Sequence, residues 1–127
     1  MRRRGGLQAD ALVAGRRYVE RVRGVVSTGT PRTVISSDLA AKVADSPGPI
    51  QCTTGTLLGK VCGVSTKIAV ALKNCPAARV RAVVAPMPKG HDLFIGRDVL
   101  RRAGVHEIDF GVRPTAIRCG PRQRVRQ

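Results

Sequence analysis

Chemistry in this chain must come from a small set of groups. The stretch Val25-Val26-Ser27-Thr28-Gly29-Thr30-Pro31-Arg32-Thr33-Val34-Ile35-Ser36 concentrates hydroxyls in a tight turn between two apolar runs. Thr28 and Thr30 put hydroxyls where buried backbone groups need partners. Gly29 is expected to take a backbone conformation that a Cβ would resist, which sharpens the turn. Ser27 as a nucleophile would need a positioned base, and no Gly-x-Ser-x-Gly elbow is present. The acids are Asp10, Glu20, Asp38, Asp45, Asp92, Asp98, Glu107 and Asp109, and none precedes a Thr/Ser-Gly pair. The cysteines Cys52, Cys62, Cys75 and Cys119 form no Cys-x-x-Cys pair, and His91 and His106 are not at zinc-finger spacing. A metal site is therefore not expected, and the residues imply no cofactor. Cys52 and Cys62 could face each other across a hairpin, but free buried thiols are the expectation in a reducing compartment.

The elements that would position these groups are short strands. With 127 residues there is room for one domain, and the 43% of apolar residues are mainly Val, Ala, Leu and Ile. Tyr18, Phe94 and Phe110 are the only aromatics, and β-branched residues with 14 Gly and 8 Pro suggest many strands and tight turns. No stretch approaches the ~18–20 apolar residues of a membrane span. Met1-Arg2-Arg3-Arg4-Gly5-Gly6 lacks the apolar region of a signal peptide, so the chain reads as soluble and intracellular, without a membrane partner.

The net charge of +15 is concentrated at the ends. Residues 1–24 hold seven Arg against Asp10 and Glu20, and residues 113–127 hold five Arg and no acid, so each flank nets +5. The expected organisation is a basic N-terminal arm (1–9), a modestly basic domain (10–112) and a basic C-terminal segment (113–127). Such arms can hold nucleic-acid phosphates or simply keep a protein soluble, and no stacking aromatics accompany the arginines.

In chain order, Ala11-Leu12-Val13-Ala14, a turn at Gly15-Arg16 and the run from Tyr18 to Val26 suggest a hairpin that delivers Ser27. Thr33-Val34-Ile35 reads as a strand, and Ser36-Ser37-Asp38 as a cap for a short helix over Leu39-Ala40-Ala41-Lys42-Val43-Ala44. Ser46-Pro47-Gly48-Pro49 ends that segment. Ile50 to Leu72 looks like a long hairpin turning among residues 53–60. Asn74-Cys75-Pro76 makes a turn, and Arg79-Val80-Arg81-Ala82-Val83-Val84 alternates as a strand with its arginines outward. Gly104 sits where a helix C′ glycine belongs, and Thr115-Ala116-Ile117-Arg118 is one more possible strand.

Two of these stretches carry a family resemblance. The apolar run into Ser27-Thr28-Gly29-Thr30, followed by Thr33-Val34-Ile35, resembles the active-site loop of the retropepsin-like aspartic proteases, with Ser27 at the position of the catalytic aspartate. Phe94-Ile95-Gly96-Arg97-Asp98-Val99-Leu100 resembles the signature Leu-Ile-Gly-Arg-Asp-x-Leu, and Val105-His106-Glu107-Ile108-Asp109-Phe110 is similar to the strand that follows it. The resemblance covers roughly residues 11–110. It implies an all-β fold, a retropepsin-like acid-protease half-barrel with a flap hairpin and one or two short helices. It also implies that Gly96 passes close behind the active-site turn and that Arg97 braces the loop and dimer contacts. Thr28 would make inter-subunit bonds under the cleft, and Gly29 and Thr30 would border the substrate. Thr54, Gly55, Thr56, Leu57, Leu58 and Gly59 would form the flap. Gly90, His91, Asp92 and Phe94 would form the subsite wall.

The family's chemistry needs two carboxylates sharing one proton, one as base and one as acid. A chain with one such turn supplies only half, so the resemblance implies a C2 homodimer acting on an extended peptide or polyprotein. Here the dimer would present Ser27 twice, and a serine hydroxyl cannot serve as a general base near neutral pH. Asp92 by the cleft is a poor substitute, and His91 is the only cleft-side candidate for a base to Ser27, although the histidines read as ordinary surface residues. The expectation is thus an aspartic endopeptidase scaffold that is inactive as written, by an engineered knock-out or by natural loss. The alternative is a non-catalytic module that binds peptides, or nucleic acid through its arms.

Overall fold

The computed structural model describes residues 8–43, 46–56, 58–112 and 114–120. Nine strands and two short helices run through them. In chain order these are β1 (Gln8–Ala14), β2 (Val19–Val26), β3 (Val34–Ser36), α1 (Ser37–Val43), β4 (Ile50–Thr56) and β5 (Gly59–Leu72). They continue as β6 (Ala78–Ala85), β7 (Leu93–Ile95), α2 (Arg97–Arg102), β8 (Val105–Asp109) and β9 (Ala116–Cys119). The main sheet has the order β1-β2-β7-β3-β6-β5-β4. β1 also pairs with β5, Ala11 opposite Leu72 through Ala14 opposite Ala69. That second pairing closes six strands into a barrel, within the all-β class expected. Closure removes the exposed edges that an open sheet would leave on β1 and β5.

Alternation in sequence decides which way each strand faces. Ala9, Ala11 and Val13 are buried and Asp10 and Leu12 are exposed, as a period of two requires. On β2 the residues Val19, Arg21 and Arg23 face solvent, and the alternation stops at Val25 and Val26, which are both buried. The reason is a second core. Val26 joins the barrel interior with Val13, Ile35, Ile68, Val70, Leu93, Ile95 and Val99. Val25 instead packs with Val34, Val61, Val83, Ala85 and Phe94 in a smaller cluster on the other side of the sheet.

Both helices follow local signals. The Ser36 hydroxyl accepts the Leu39 N–H at 2.9 Å, capping α1, whose Leu39, Ala40 and Val43 are buried. α2 begins after Gly96, ends at the cap residue Ala103, and is followed by Gly104 at φ 73°. β8 and β9 form a separate two-stranded sheet. The Thr115 N–H donates to the Gln8 carbonyl at 2.7 Å, which ties the strand expected over residues 115–118 to the start of β1.

The cysteines correct the expectation of free buried thiols. Cys52 is bonded to Cys62, directly opposite it across the β4–β5 hairpin, and both are exposed. Cys75 is bonded to Cys119, which ties β9 to the turn between β5 and β6. A reducing compartment favours free thiols, but strand register sets Cys52 directly against Cys62. Among the described residues no helix is long and apolar enough to cross a membrane.

Candidate active-site turn

Strand β2 delivers Ser27, and β7 supports it from beneath. β7 lies between β2 and β3, parallel to the first (Val25 opposite Phe94) and antiparallel to the second (Val34 opposite Phe94). The Ser27 N–H donates to the Ile95 carbonyl at 2.9 Å, and the Thr30 N–H closes the turn on the Ser27 carbonyl at 3.1 Å. The chain then passes over Gly96. A Cβ there would lie 2.8 Å from the Thr30 carbonyl oxygen and 2.9 Å from the Thr33 nitrogen. These are backbone atoms, which cannot move aside as a side-chain tip could, so close approach requires glycine at 96. Its placement behind the turn is the one expected.

The turn is bolted to the start of α2. The Arg97 N–H donates to the Thr30 carbonyl at 2.8 Å and the Asp98 N–H to the Pro31 carbonyl at 3.2 Å. Asp98 Oδ1 accepts the Thr33 hydroxyl at 2.7 Å and the Val99 N–H at 2.8 Å, and both carboxylate oxygens lie 3.1 Å from the Thr33 nitrogen. The Thr33 hydroxyl in turn accepts the Gly96 N–H at 2.9 Å. Asp98 and Thr33 are thus the positioning pair of the site. In sequence Asp98 belongs only to the helix signature, and no local pattern joins it to a residue 65 positions away. The Arg97 brace comes from its backbone N–H, while its side chain is exposed.

From above, the β4–β5 hairpin sits on the turn. The Thr30 hydroxyl donates to the Gly55 carbonyl at 2.9 Å and is also hydrogen-bonded to the Ser27 hydroxyl. Because the Thr30 proton is committed to Gly55, Ser27 must donate its own to Thr30. The result is a relay from the Ser27 hydroxyl through Thr30 to the Gly55 carbonyl, with no base in it. The Arg32 N–H donates to the Thr53 hydroxyl at 3.2 Å, a second fastening of hairpin to turn. Gly55 has φ 78°, and a Cβ on it would lie 2.2 Å from the Gly29 carbonyl oxygen. Conformation and proximity both demand glycine at 55. At the tip, the Thr56 hydroxyl accepts the Leu58 N–H at 3.0 Å and donates to the Gly59 carbonyl at 2.7 Å. Leu57 lies outside the described residues, and Thr54 is exposed.

Several expected roles change with this arrangement. Thr30, expected beside a substrate, is 0% exposed beneath the hairpin. Phe94, expected on the subsite wall, is buried in the smaller core against Val61 of the hairpin. Gly29 does not take a positive φ, and a Cβ on it would meet nothing within 4 Å. The turn's own backbone therefore does not require glycine at 29; Gly29 and Thr28 are exposed, with open space in front of Gly29.

The remaining wall residues have partners other than Ser27. Asp92 stands four positions before Gly96, roughly 13 Å back along an extended chain. Its Oδ1 accepts the Ser36 hydroxyl at 2.8 Å, at the start of α1. The His91 N–H donates to the Pro88 carbonyl at 3.0 Å, and its ring lies 6.0 Å from that of Phe94. Gly90 takes φ 89° in the adjoining turn. Among the described residues Asp98 is the acid hydrogen-bonded to the turn, and its oxygens are committed to Thr33 and Val99. Among the described residues no group of three or more His, Cys, Asp or Glu is placed to hold a metal ion. No protein-family model matches this chain, and no curated protein matches it.

Proposed function

We propose that this chain is a retropepsin-type aspartic endopeptidase scaffold that works as a homodimer on extended peptides and, as written, does not hydrolyse them. The observation that supports this reading is the seating of the Ser27–Thr30 turn. It is held from beneath by Gly96 and Arg97, covered by the Gly55 hairpin, and open in front of Gly29. Two copies meeting across that open face would place two Ser27 hydroxyls where the chemistry needs two carboxylates. Each hydroxyl already donates to Thr30, so neither is poised to activate water. Peptide would enter by lifting the hairpin, which frees the Gly55 carbonyl from Thr30 for main-chain bonding to an extended strand.

Ser27→Asp tests this directly. The variant, purified and incubated with a diverse peptide library at mildly acidic pH, is expected to cleave at internal bonds while the unmodified chain does not. A folded, dimeric Ser27→Asp variant that cleaves nothing would remove the endopeptidase reading. It would leave the non-catalytic peptide-binding alternative to be measured by the unmodified chain's affinity for the same library.

A further inference from the structure

A concavity lies at the opposite end of β2 from Ser27, and its character is cationic. It has a volume of about 710 Å³ and is lined by Arg16, Lys67, Arg79, Arg81 and Arg102 among small and apolar residues, with no acid in the lining. Lys67 stands directly opposite Arg81 in the β5–β6 pairing, and Arg79 is two positions along the same strand, hence on the same face. Like charges directly opposite one another destabilise a sheet. Arg102 Nη1 donates to the Arg79 carbonyl at 2.8 Å, which fixes a further guanidinium at the rim. Arg16 comes from the β1–β2 turn, which is closed by the Gly15 N–H on the Tyr18 carbonyl at 3.0 Å. Among the described residues the ion pairs are Arg23–Asp10 and Arg118–Glu107, and neither reaches this groove.

We propose that this groove is a binding site for the phosphate backbone of single-stranded nucleic acid. Five cations in one groove without an acid exceed what one compact anion needs and suit a ligand with a repeating negative charge. Tyr18, 64% exposed in the same turn as Arg16, supplies a π-face on which a base can stack. The site is built from β5, β6, the β1–β2 turn and the end of α2, so it stands independently of the reading given to the Ser27 turn. It also differs from binding through the arginine-rich ends, because its cations are positioned by the barrel.

The test is fluorescence anisotropy of the full chain with labelled oligothymidylate and oligouridylate over a salt series, with heparin as a polyanion lacking bases. Lys67→Gln/Arg81→Gln is expected to weaken oligonucleotide binding at least about tenfold and to lower the log–log salt slope by about 1.4, near 0.7 for each cation removed. Arg2→Gln/Arg3→Gln, with the same charge change in the arm, is expected to cost less. Tyr18→Ala is expected to weaken oligonucleotide binding and spare heparin. Thermal melting checks that each variant folds, and Arg16→Gln/Lys67→Gln replaces the groove pair if Arg81→Gln does not. A groove variant that loses no more than the arm variant overturns the site. Heparin binding without oligonucleotide binding, or a Tyr18→Ala variant that binds oligonucleotide as tightly as the unmodified chain, overturns the assignment to nucleic acid.

Discussion

Removing the Asp98 carboxylate should loosen the Ser27 turn and destabilise the whole domain. Asp98→Ala deprives the Thr33 N–H and hydroxyl of their acceptor, and Thr33 is 0% exposed, so water does not take its place. A buried donor left unpaired costs about 1–3 kcal/mol, so the two Thr33 donors predict a loss of about 4 kcal/mol, to which the Val99 N–H, left without the same acceptor, adds. Asp98→Asn keeps one acceptor oxygen and should cost about 1–2 kcal/mol. Thr33→Val removes only the hydroxyl, one of the two donors to Asp98 and the acceptor for the Gly96 N–H, and leaves the Thr33 N–H on the carboxylate. Because the two side chains act through one contact, the double variant should fall short of additivity by at least about 1 kcal/mol. Urea denaturation followed by circular dichroism measures the unmodified chain and each variant. A cost under about 0.5 kcal/mol for Asp98→Ala, well below that of one unpaired buried donor, would refute the reasoning, as would two substitutions that add without coupling.

The hairpin glycines separate two effects. Gly55→Ala combines a positive φ with a collision against the Gly29 carbonyl, whereas Gly59→Ala, at φ 77° with nothing near its Cβ, meets only the conformational cost. Hydrogen exchange across β4 and β5 should therefore rise more in the first variant than in the second, and equal effects would mean that the hairpin does not rest on the turn. The disulfides should rank by the loop they close, 44 residues for Cys75–Cys119 against 10 for Cys52–Cys62. Replacing the first pair by serines should cost about 4 kcal/mol and the second about 3 kcal/mol in denaturant titrations. The opposite order would show that the Cys75–Cys119 link restrains little. Gly96→Ala drives a methyl into three backbone atoms and should cost at least about 2 kcal/mol by thermal melting. A neutral result would contradict the close approach of α2 to the turn.

What the sequence disclosed follows from how local each signal is. The turn between two apolar runs, the Ser36 cap, Gly104 after α2 and the alternating strand of β6 are all marked within a few residues. Gly96 could be placed behind the turn from its motif, because close backbone approach leaves glycine as its signature. Barrel closure was not legible, since nothing in Ala11–Ala14 names Leu72 or Ala69 as partners. The Thr33–Asp98 contact and the Cys75–Cys119 bond join residues far apart along the chain in the same way. Burial of Phe94 and Thr30 carries no local signal, because it depends on Val61 of the hairpin packing with Phe94 and on the Gly55 carbonyl accepting from Thr30. The cationic groove was hidden by register, which alone sets Lys67 against Arg81.

Catalysis by this scaffold should need two aspartate-bearing turns, one from each of two chains. The most direct measurement is a mixing experiment, in which unmodified chain is titrated into the Ser27→Asp variant and peptide hydrolysis is followed after subunits exchange. At equimolar mixing, random pairing draws half of the variant chains into mixed dimers that hold a single carboxylate. Activity should then fall to about half, and should continue down as more unmodified chain is added. Hydrolysis that ignores the added chain, or that never appears in the Ser27→Asp variant, would contradict the claim.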